Sequence, residues 1–236
     1  MYTADFADVY ELVYQVRGKD WTAEAERILA VVRERAPEAD RLLDVACGTG
    51  AHLEVFARHL GHVEGVELAE PMREVAERRL PGVPVHRGDM RDFRLDGVFD
   101  AVTCLFNSIG YMTTVAELRA AIGSMARHLR PGGVLVVEPW WFPDRFIDGY
   151  VTADAGSADD RVVARVSHTR REGRRTLLDS RYLVAGPDGI SELAHLHELT
   201  LFTRAEYLAA FEDASCLTEF IEGGLTGRGL FVGIRK

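Results

Sequence analysis

Residues 42–50 read LLDVACGTG, a short apolar run that ends in two glycines one residue apart and opens into the amphipathic stretch 51–60. A strand running into such a turn and then a helix lets backbone come close to a ligand, because Gly48 and Gly50 accept conformations that side chains oppose. Two other nucleotide loops do not fit. A dinucleotide-binding GxGxxG needs a third glycine where Leu53 stands, and no GK[ST] comes after it as a Walker loop requires. Working outward, apolar runs at 41–46, 62–67, 83–88, 99–105 and 133–138 alternate with helical patterns at 51–60, 71–80 and 115–129. That alternation predicts an α/β fold, a parallel sheet with helices on both faces. Pro131, Gly132 and Gly133 are expected beyond the end of the last helix.

After Pro139 the texture changes. Residues 161–185 and 190–202 read as strands, the first segment folded on a Glu-Gly turn, so an antiparallel excursion is expected over 141–202. A helix over 203–214 and strands at 217–222 and 229–235 then return the chain to the sheet edge. The expected division is a core at 1–140, the insertion at 141–202 and the return at 203–236. At the N-terminus, Phe6, Val9, Tyr10 and Val13 share one helical face.

The chain has 236 residues, 28 Lys and Arg against 37 Asp and Glu, and a net charge of -9. This balance opposes a chain-wide nucleic-acid or membrane surface. Cys47, Cys104 and Cys216 lack CxxC spacing, and His195 and His197 form an HxH with no third ligand, so neither a disulfide framework nor a metal is expected. The acidic N-terminus MYTADFADVY and the lack of a long apolar run lead to the expectation of a cytoplasmic protein.

LLDVACGTG resembles the first motif of class I S-adenosylmethionine (SAM) methyltransferases, which implies a Rossmann-like sheet and SAM as cofactor, with S-adenosylhomocysteine as product. By that resemblance Ala46, Gly48 and Gly50 form the cofactor loop, Glu67 takes the ribose hydroxyls, Asp89 lies by the adenine amine and Met90 covers the ring. The chemistry is apt: adjacent hydroxyls and an exocyclic amine want acceptors, and the ring wants apolar cover. For Asp44, stabilising the turn and touching the cofactor both stay open. Cys47 is a small residue beside the cofactor.

A narrower resemblance spans the whole chain, carried by RGKDW (17–21), GDMRDF (88–93), NSIGYM (107–112), VVEPWWFP (136–143), RVSH (165–168) and GRGLFVG (227–233). These segments are similar to the sugar N,N-dimethyltransferases that act on TDP-linked amino-deoxysugars in antibiotic biosynthesis, implying an acceptor of the TDP-3-amino or 4-amino 6-deoxyhexose class, methylated twice. An insertion over the active site and Tyr10, Lys19 and Trp21 near the cofactor go with it. A homodimer is the assembly left open. Other readings are a methyltransferase for another small molecule and a SAM-binding protein without catalysis.

Candidate groups around the amine are Tyr2, Ser108, Tyr111 and His168. A tyrosine is a poor base near neutral pH, so orientation is expected to outweigh base catalysis. Residues 161–181 hold seven arginines against Glu172 and Asp179, an island that suits a diphosphate. Arg170, Arg171, Arg174 and Arg175 flank the turn and are expected to face water, with Arg165 and His168 nearer the site. Arg228, between Gly227 and Gly229, is the better phosphate or base contact. Trp140 and Trp141 wall the sugar or thymine; as neighbours in extended chain, one is expected to be core.

Overall fold

The computed structural model describes residues 3–158 and 160–236, with Asp8 described by its backbone alone. Thr3 starts α1 (Ala4–Gln15) by accepting the Phe6 N–H on its hydroxyl, and Asp20 starts α2 (Trp21–Arg35) by accepting that of Ala23. Each cap satisfies one of the donors a helix end leaves free. Sequence patterning predicts only the first of these helices. The second comes after a turn at Gly18, whose φ is +79°, and buries Ala25, Ile28, Leu29 and Val32 along one side.

The central layer is built from β1 (Arg41–Val45), β2 (His62–Glu67), β3 (Val85–Arg87), β4 (Phe99–Cys104) and β5 (Leu129–Val137), all mutually parallel where they pair. Helices α3 (Ala51–His59), α4 (Glu70–Arg79) and α5 (Val115–Arg127) connect them, and α6 (Arg204–Asp213) leads to β10 (Cys216–Ile221) and β11 (Leu230–Arg235). The spatial order is β10-β11-β5-β4-β1-β2-β3, with β11 antiparallel to β5. Strand order therefore reverses between β1 and β4, and ligands of open α/β sheets bind at the carboxyl ends beside such a reversal. Alternate residues serve opposite faces: Leu43, Val45, Val102 and Leu135 pack towards α5 and α6, while Leu42, Ala101, Val134 and Val136 pack towards α2 and α3. Helix α5 ends at Arg127, and Pro131, Gly132 and Gly133 lie in a bulge at the start of β5, where Phe99 pairs with Leu129 but Ala101 with Val134.

The expected excursion is a separate antiparallel sheet of β6 (Val151–Ala158), β7 (Arg161–Glu172), β8 (Arg175–Gly186) and β9 (Gly189–Thr200). Val163, Tyr182 and Val184 on its inner face pack against Phe6, Val9, Tyr10 and Val13 of α1. The outer face leaves Val151, Val162, Val166, Leu183 and Leu196 exposed. No helix among the described residues is long and apolar enough to cross a membrane.

Candidate active site

At the carboxyl end of β1 the chain turns through three left-handed residues: Ala46 (φ +58°), Gly48 (+59°) and Gly50 (+78°). Ala46 holds a conformation that costs an L-residue about 1–2 kcal/mol. The loop beyond it is pinned by two hydrogen bonds, Cys47 N–H to Val66 O (3.1 Å) and Gly50 N–H to Cys47 O (3.0 Å). A Cβ on Gly50 would lie 3.2 Å from Ala76 and Leu80 side-chain atoms, so the loop sits hard on α4.

Glu67, at the end of β2, is buried. One carboxylate oxygen accepts the Gly48 N–H at 2.9 Å and the other that of Ala69 at 2.8 Å. Burial raises its pKa, and these N–H bonds oppose the rise. A carboxylate has about four acceptor positions, so capacity remains for two hydroxyls. Asp44, fully buried within β1, accepts the Thr103 hydroxyl at 2.7 Å, and burial pushes its carboxyl up to about 6. Asp89 is largely committed: it takes the Arg91 N–H at 2.9 Å and Arg91 Nε and Nη at 2.9 and 2.5 Å, which hold its pKa below the usual carboxylate range. Met90 is half-buried against the core cluster under α5.

Lys19 closes the other side. Its Nζ pairs with Glu24 and lies 4.3 Å from the Trp21 ring centroid and 3.9 Å from that of Phe106; burial lowers its pKa. Glu24 also holds His52 at 3.0 Å. A small pocket of about 30 Å³ is lined by Tyr10, Trp21, Ala46, Gly48, Thr49, His52 and Ser108 among others, and the Trp21 Nε1 beside it is buried without a hydrogen-bond partner. A buried donor left unpaired costs about 1–3 kcal/mol. That orphan donor, the left-handed loop and the buried carboxylate with spare acceptor capacity fit SAM, whose ribose, carboxylate and adenine need these groups.

The main cavity, about 660 Å³, opens beside this loop between the parallel sheet and the inner face of β6–β9. Of the sequence-derived candidates, Tyr10, Lys19, Ser108, Tyr111, Trp140, Trp141, Arg165 and Arg228 line it. The Arg228 guanidinium carbon sits 5.0 Å from the Trp140 ring centroid and 4.8 Å from that of Trp141. Its Nη donates to Thr226 Oγ1 at 2.8 Å, Thr226 in turn donates to Glu138 at 2.6 Å, and its Nε is buried without a partner. Burial lowers the Arg228 pKa against the pull of Glu138, yet a guanidinium keeps its charge.

Trp140 is the core member of the pair, buried with Leu199 and Leu201, yet both tryptophans line the cavity, which corrects the expectation that only one would face it. The chain beyond Val137 is no longer extended strand, and Trp140 Nε1 is anchored to Thr176 Oγ1 at 3.1 Å. His168 is corrected too. It is exposed on the outer face of β7, because a strand that turns Arg165, Ser167 and Thr169 inward must turn His168 outward. Arg165 is buried but already held by Asp154 (3.1 Å) and Ser180 (3.2 Å), and Asp154 also binds Arg17. Arg170, Arg171, Arg174 and Arg175 are exposed, as expected. Gly50, Glu67, Asp89 and Met90 lie at consecutive strand ends without lining either cavity. Tyr2 lies outside the described residues.

Three cavity residues are not evident from sequence. Tyr14, one helical turn from Tyr10, packs edge-on against Phe106 at 4.7 Å between ring centroids. His197 stands out in the chain only as half of an HxH metal pattern; its Nδ1 lies 2.5 Å from the Tyr111 hydroxyl. Burial, with His195 and Arg165 nearby, pushes His197 down to about 3, so this imidazole is neutral at physiological pH. Asn107, within NSIGYM, is buried with its Oδ1 unpartnered. No cluster of three or more His, Cys, Asp or Glu able to hold a metal occurs among the described residues.

Residues 42–133 match the family model of a methyltransferase domain. The chain is 54% identical over 235 residues to the dTDP-3-amino-3,4,6-trideoxy-alpha-D-glucopyranose N,N-dimethyltransferase of Streptomyces venezuelae, covering 99% of each. It is 52% identical over 236 residues to the dTDP-4-amino-2,3,4,6-tetradeoxy-D-glucose N,N-dimethyltransferase of Saccharopolyspora spinosa, covering 100% of this chain and 95% of that one. Among solved structures, SAM-bound CalS10, an amino pentose methyltransferase of Micromonospora echinaspora involved in calicheamicin biosynthesis, is 55% identical over 97% of each chain with a TM-score of 0.91. The motifs at the strand ends, the second sheet over the cavity and this full-length identity agree, and the chain belongs to the SAM-dependent dTDP-amino-deoxysugar N,N-dimethyltransferases.

Proposed function

We propose that this enzyme transfers two methyl groups, one at a time, from SAM to the amine of a TDP-linked 3-amino or 4-amino 6-deoxyhexose destined for an antibiotic. The observation that carries the reading is that the cofactor-side residues Tyr10, Lys19 and Ser108 share one cavity with an arginine packed against two indoles. Bound SAM supplies a methyl group made electrophilic by its sulfonium. The chain's own residues hold the amine in line with that methyl, and such positioning is worth several kcal/mol by making the step effectively unimolecular.

In this reading Glu67 takes the ribose hydroxyls, the one acceptor position left on Asp89 meets the adenine amine, and Met90 covers the ring. Trp21 Nε1 and Lys19 face the cofactor's polar end. At the far end Arg228, packed against Trp140 and Trp141, grips phosphate or thymine, while Arg165, shared with Asp154, presents a weaker positive field to the diphosphate. Tyr111, hydrogen-bonded to a neutral His197, orients the amine rather than deprotonating it. Incubating the enzyme with SAM and a panel of TDP-3-amino and TDP-4-amino 6-deoxyhexoses, with mass-spectrometric detection, tests the assignment. Two methyl additions on a member of the panel are expected; methylation of some other small molecule with none of the panel consumed would replace the acceptor class, and SAM binding without turnover would remove catalysis.

A further inference from the structure

Asn107 stands where the backbone is under strain and makes no use of it locally. Phe106 (φ +52°) and Asn107 (φ +64°) are consecutive left-handed residues, neither of them glycine, just beyond β4. Glu138, fully buried, fixes the pair by accepting the Phe106 N–H at 2.7 Å. Asparagine at the start of a helical turn ordinarily caps it, yet the Asn107 side chain makes no capping bond to the turn at Ser108–Tyr111. Its Oδ1 is buried with no hydrogen-bond partner, and the residue lines the main cavity beside Ser108 and Tyr111. A side chain held at the cavity wall on strained backbone, with an acceptor that the protein itself leaves unpaired, calls for a donor from a ligand. The terminal torsion of an asparagine amide is broad, so the oxygen can turn to the cavity without moving the backbone.

We propose that the Asn107 side-chain carbonyl accepts an N–H of the acceptor amine and aims the nitrogen lone pair at the transferred methyl; this rests on the reading of the cavity as an amino-sugar site. Both transfers supply the donor, since a neutral primary amine has two N–H bonds and a neutral secondary amine one, whereas the tertiary amine left after deprotonation has none. As the N–C bond forms and the bond between that methyl carbon and the sulfonium sulfur breaks, its electron pair leaving on the sulfur of S-adenosylhomocysteine, the nitrogen becomes positively charged and its N–H a stronger donor. The bond to Asn107 therefore tightens in the transition state and acts on kcat more than on KM; the ammonium proton then passes to water.

The test uses Asn107→Gly, which keeps the left-handed conformation and removes the acceptor, and Asn107→Asp, which keeps both. For each, kcat and KM are measured with unmethylated and monomethylated TDP-amino sugar, and SAM affinity by calorimetry. Asn107→Gly should lower kcat about tenfold to a hundredfold on both acceptors, with KM and SAM affinity within about threefold, and Asn107→Asp should recover most of that loss. A kcat for Asn107→Gly within about twofold of wild type, equal losses in the two variants, or a parallel loss of SAM affinity would overturn the assignment. Wild-type enzyme that methylates none of the sugars would overturn the amino-sugar reading and this inference together.

Discussion

Around β1 and β2 the groups that frame the cofactor crevice come from short contiguous stretches, 46–50 and 67–69, joined by the Gly48 N–H bond to Glu67, whose other oxygen is held within its own stretch by the Ala69 N–H. The acceptor wall draws instead on Tyr111, Trp140, Arg165, His197 and Arg228, from five separate segments, two of them in a second sheet. The first half is a local construction, fixed by turn geometry and one buried carboxylate. The second depends on tertiary packing. Damage to the two halves should therefore separate, SAM binding suffering in one and nucleotide-sugar efficiency in the other.

The sharpest break is expected from Gly50→Val. A β-branched residue at φ +78°, with its Cβ 3.2 Å from Ala76 and Leu80, combines left-handed strain with overpacking, together about 3 kcal/mol or more. Calorimetry should show SAM binding lost and thermal denaturation a lowered Tm; an unchanged SAM affinity would mean that the turn is not what shapes the crevice. Glu67→Ala comes next. It removes an acceptor from two buried N–H groups as well as from the ribose, so SAM affinity should fall by about 1–3 kcal/mol while the nucleotide-sugar still binds. Undiminished SAM affinity in the folded variant would free Glu67 from the cofactor.

The acceptor side has a pH signature opposite in sign to that of the cofactor loop, where burial raises Asp44 and Glu67 and so favours the fold as the pH falls. Burial depresses His195 to about 4 and His197 to about 3, against 6.5 for an ordinary histidine. Below pH 6.5 the unfolded chain takes up protons that the folded chain refuses, so this part of the stability is complete above pH 6.5 and is lost as the pH falls towards 3. A loss of up to about 6 kcal/mol between pH 7 and pH 4 is expected from the pair, the part of His195 open to solvent reducing its share. Urea titrations at both pH values should show it in wild type and a smaller loss in His197→Asn; equal losses would place the acid sensitivity elsewhere. Smallest of all, Tyr111→Phe should keep more than about a tenth of kcat, because orientation carries most of the rate. A loss of about a thousandfold with substrate affinity intact would make the hydroxyl an essential base.

The same contrast explains what is legible in the chain. The parallel sheet can be read because each strand and helix carries its own period and the turn residues mark the ends; Glu67 and the glycine loop come from their places at strand ends. On β7 the period fails. Val162, Val163, Ala164 and Val166 put apolar side chains on both faces, one packed on α1 and the other exposed, so alternation cannot tell that Arg165 turns inward and His168 outward. The second helix is hidden because its start at Asp20 lies inside RGKDW, a segment that stands out for its resemblance rather than its period. Partnerships across the fold leave no trace in spacing: Tyr111 with His197 is a contact between residues 86 apart, and Glu138 with Thr226 between residues 88 apart. The unpaired Oδ1 of Asn107 shows only once its surroundings are in place.

The central claim is that a non-reacting nucleotide handle, gripped by Arg228, holds the amine in position. The direct measurement is kcat/KM for wild type and Arg228→Ala with two acceptors, the TDP-amino sugar and the same amino sugar without its nucleotide. Losing a charged hydrogen bond costs about 1.5–3 kcal/mol. Arg228→Ala should therefore fall about tenfold to a hundredfold on the TDP-sugar, part of it in kcat, with SAM affinity nearly unchanged, while the free sugar is a very poor substrate for both enzymes and little worse for the variant. An equal loss on both acceptors would make Arg228 a support of the fold or the cofactor, and a free sugar as good as the nucleotide-linked one would contradict the account outright.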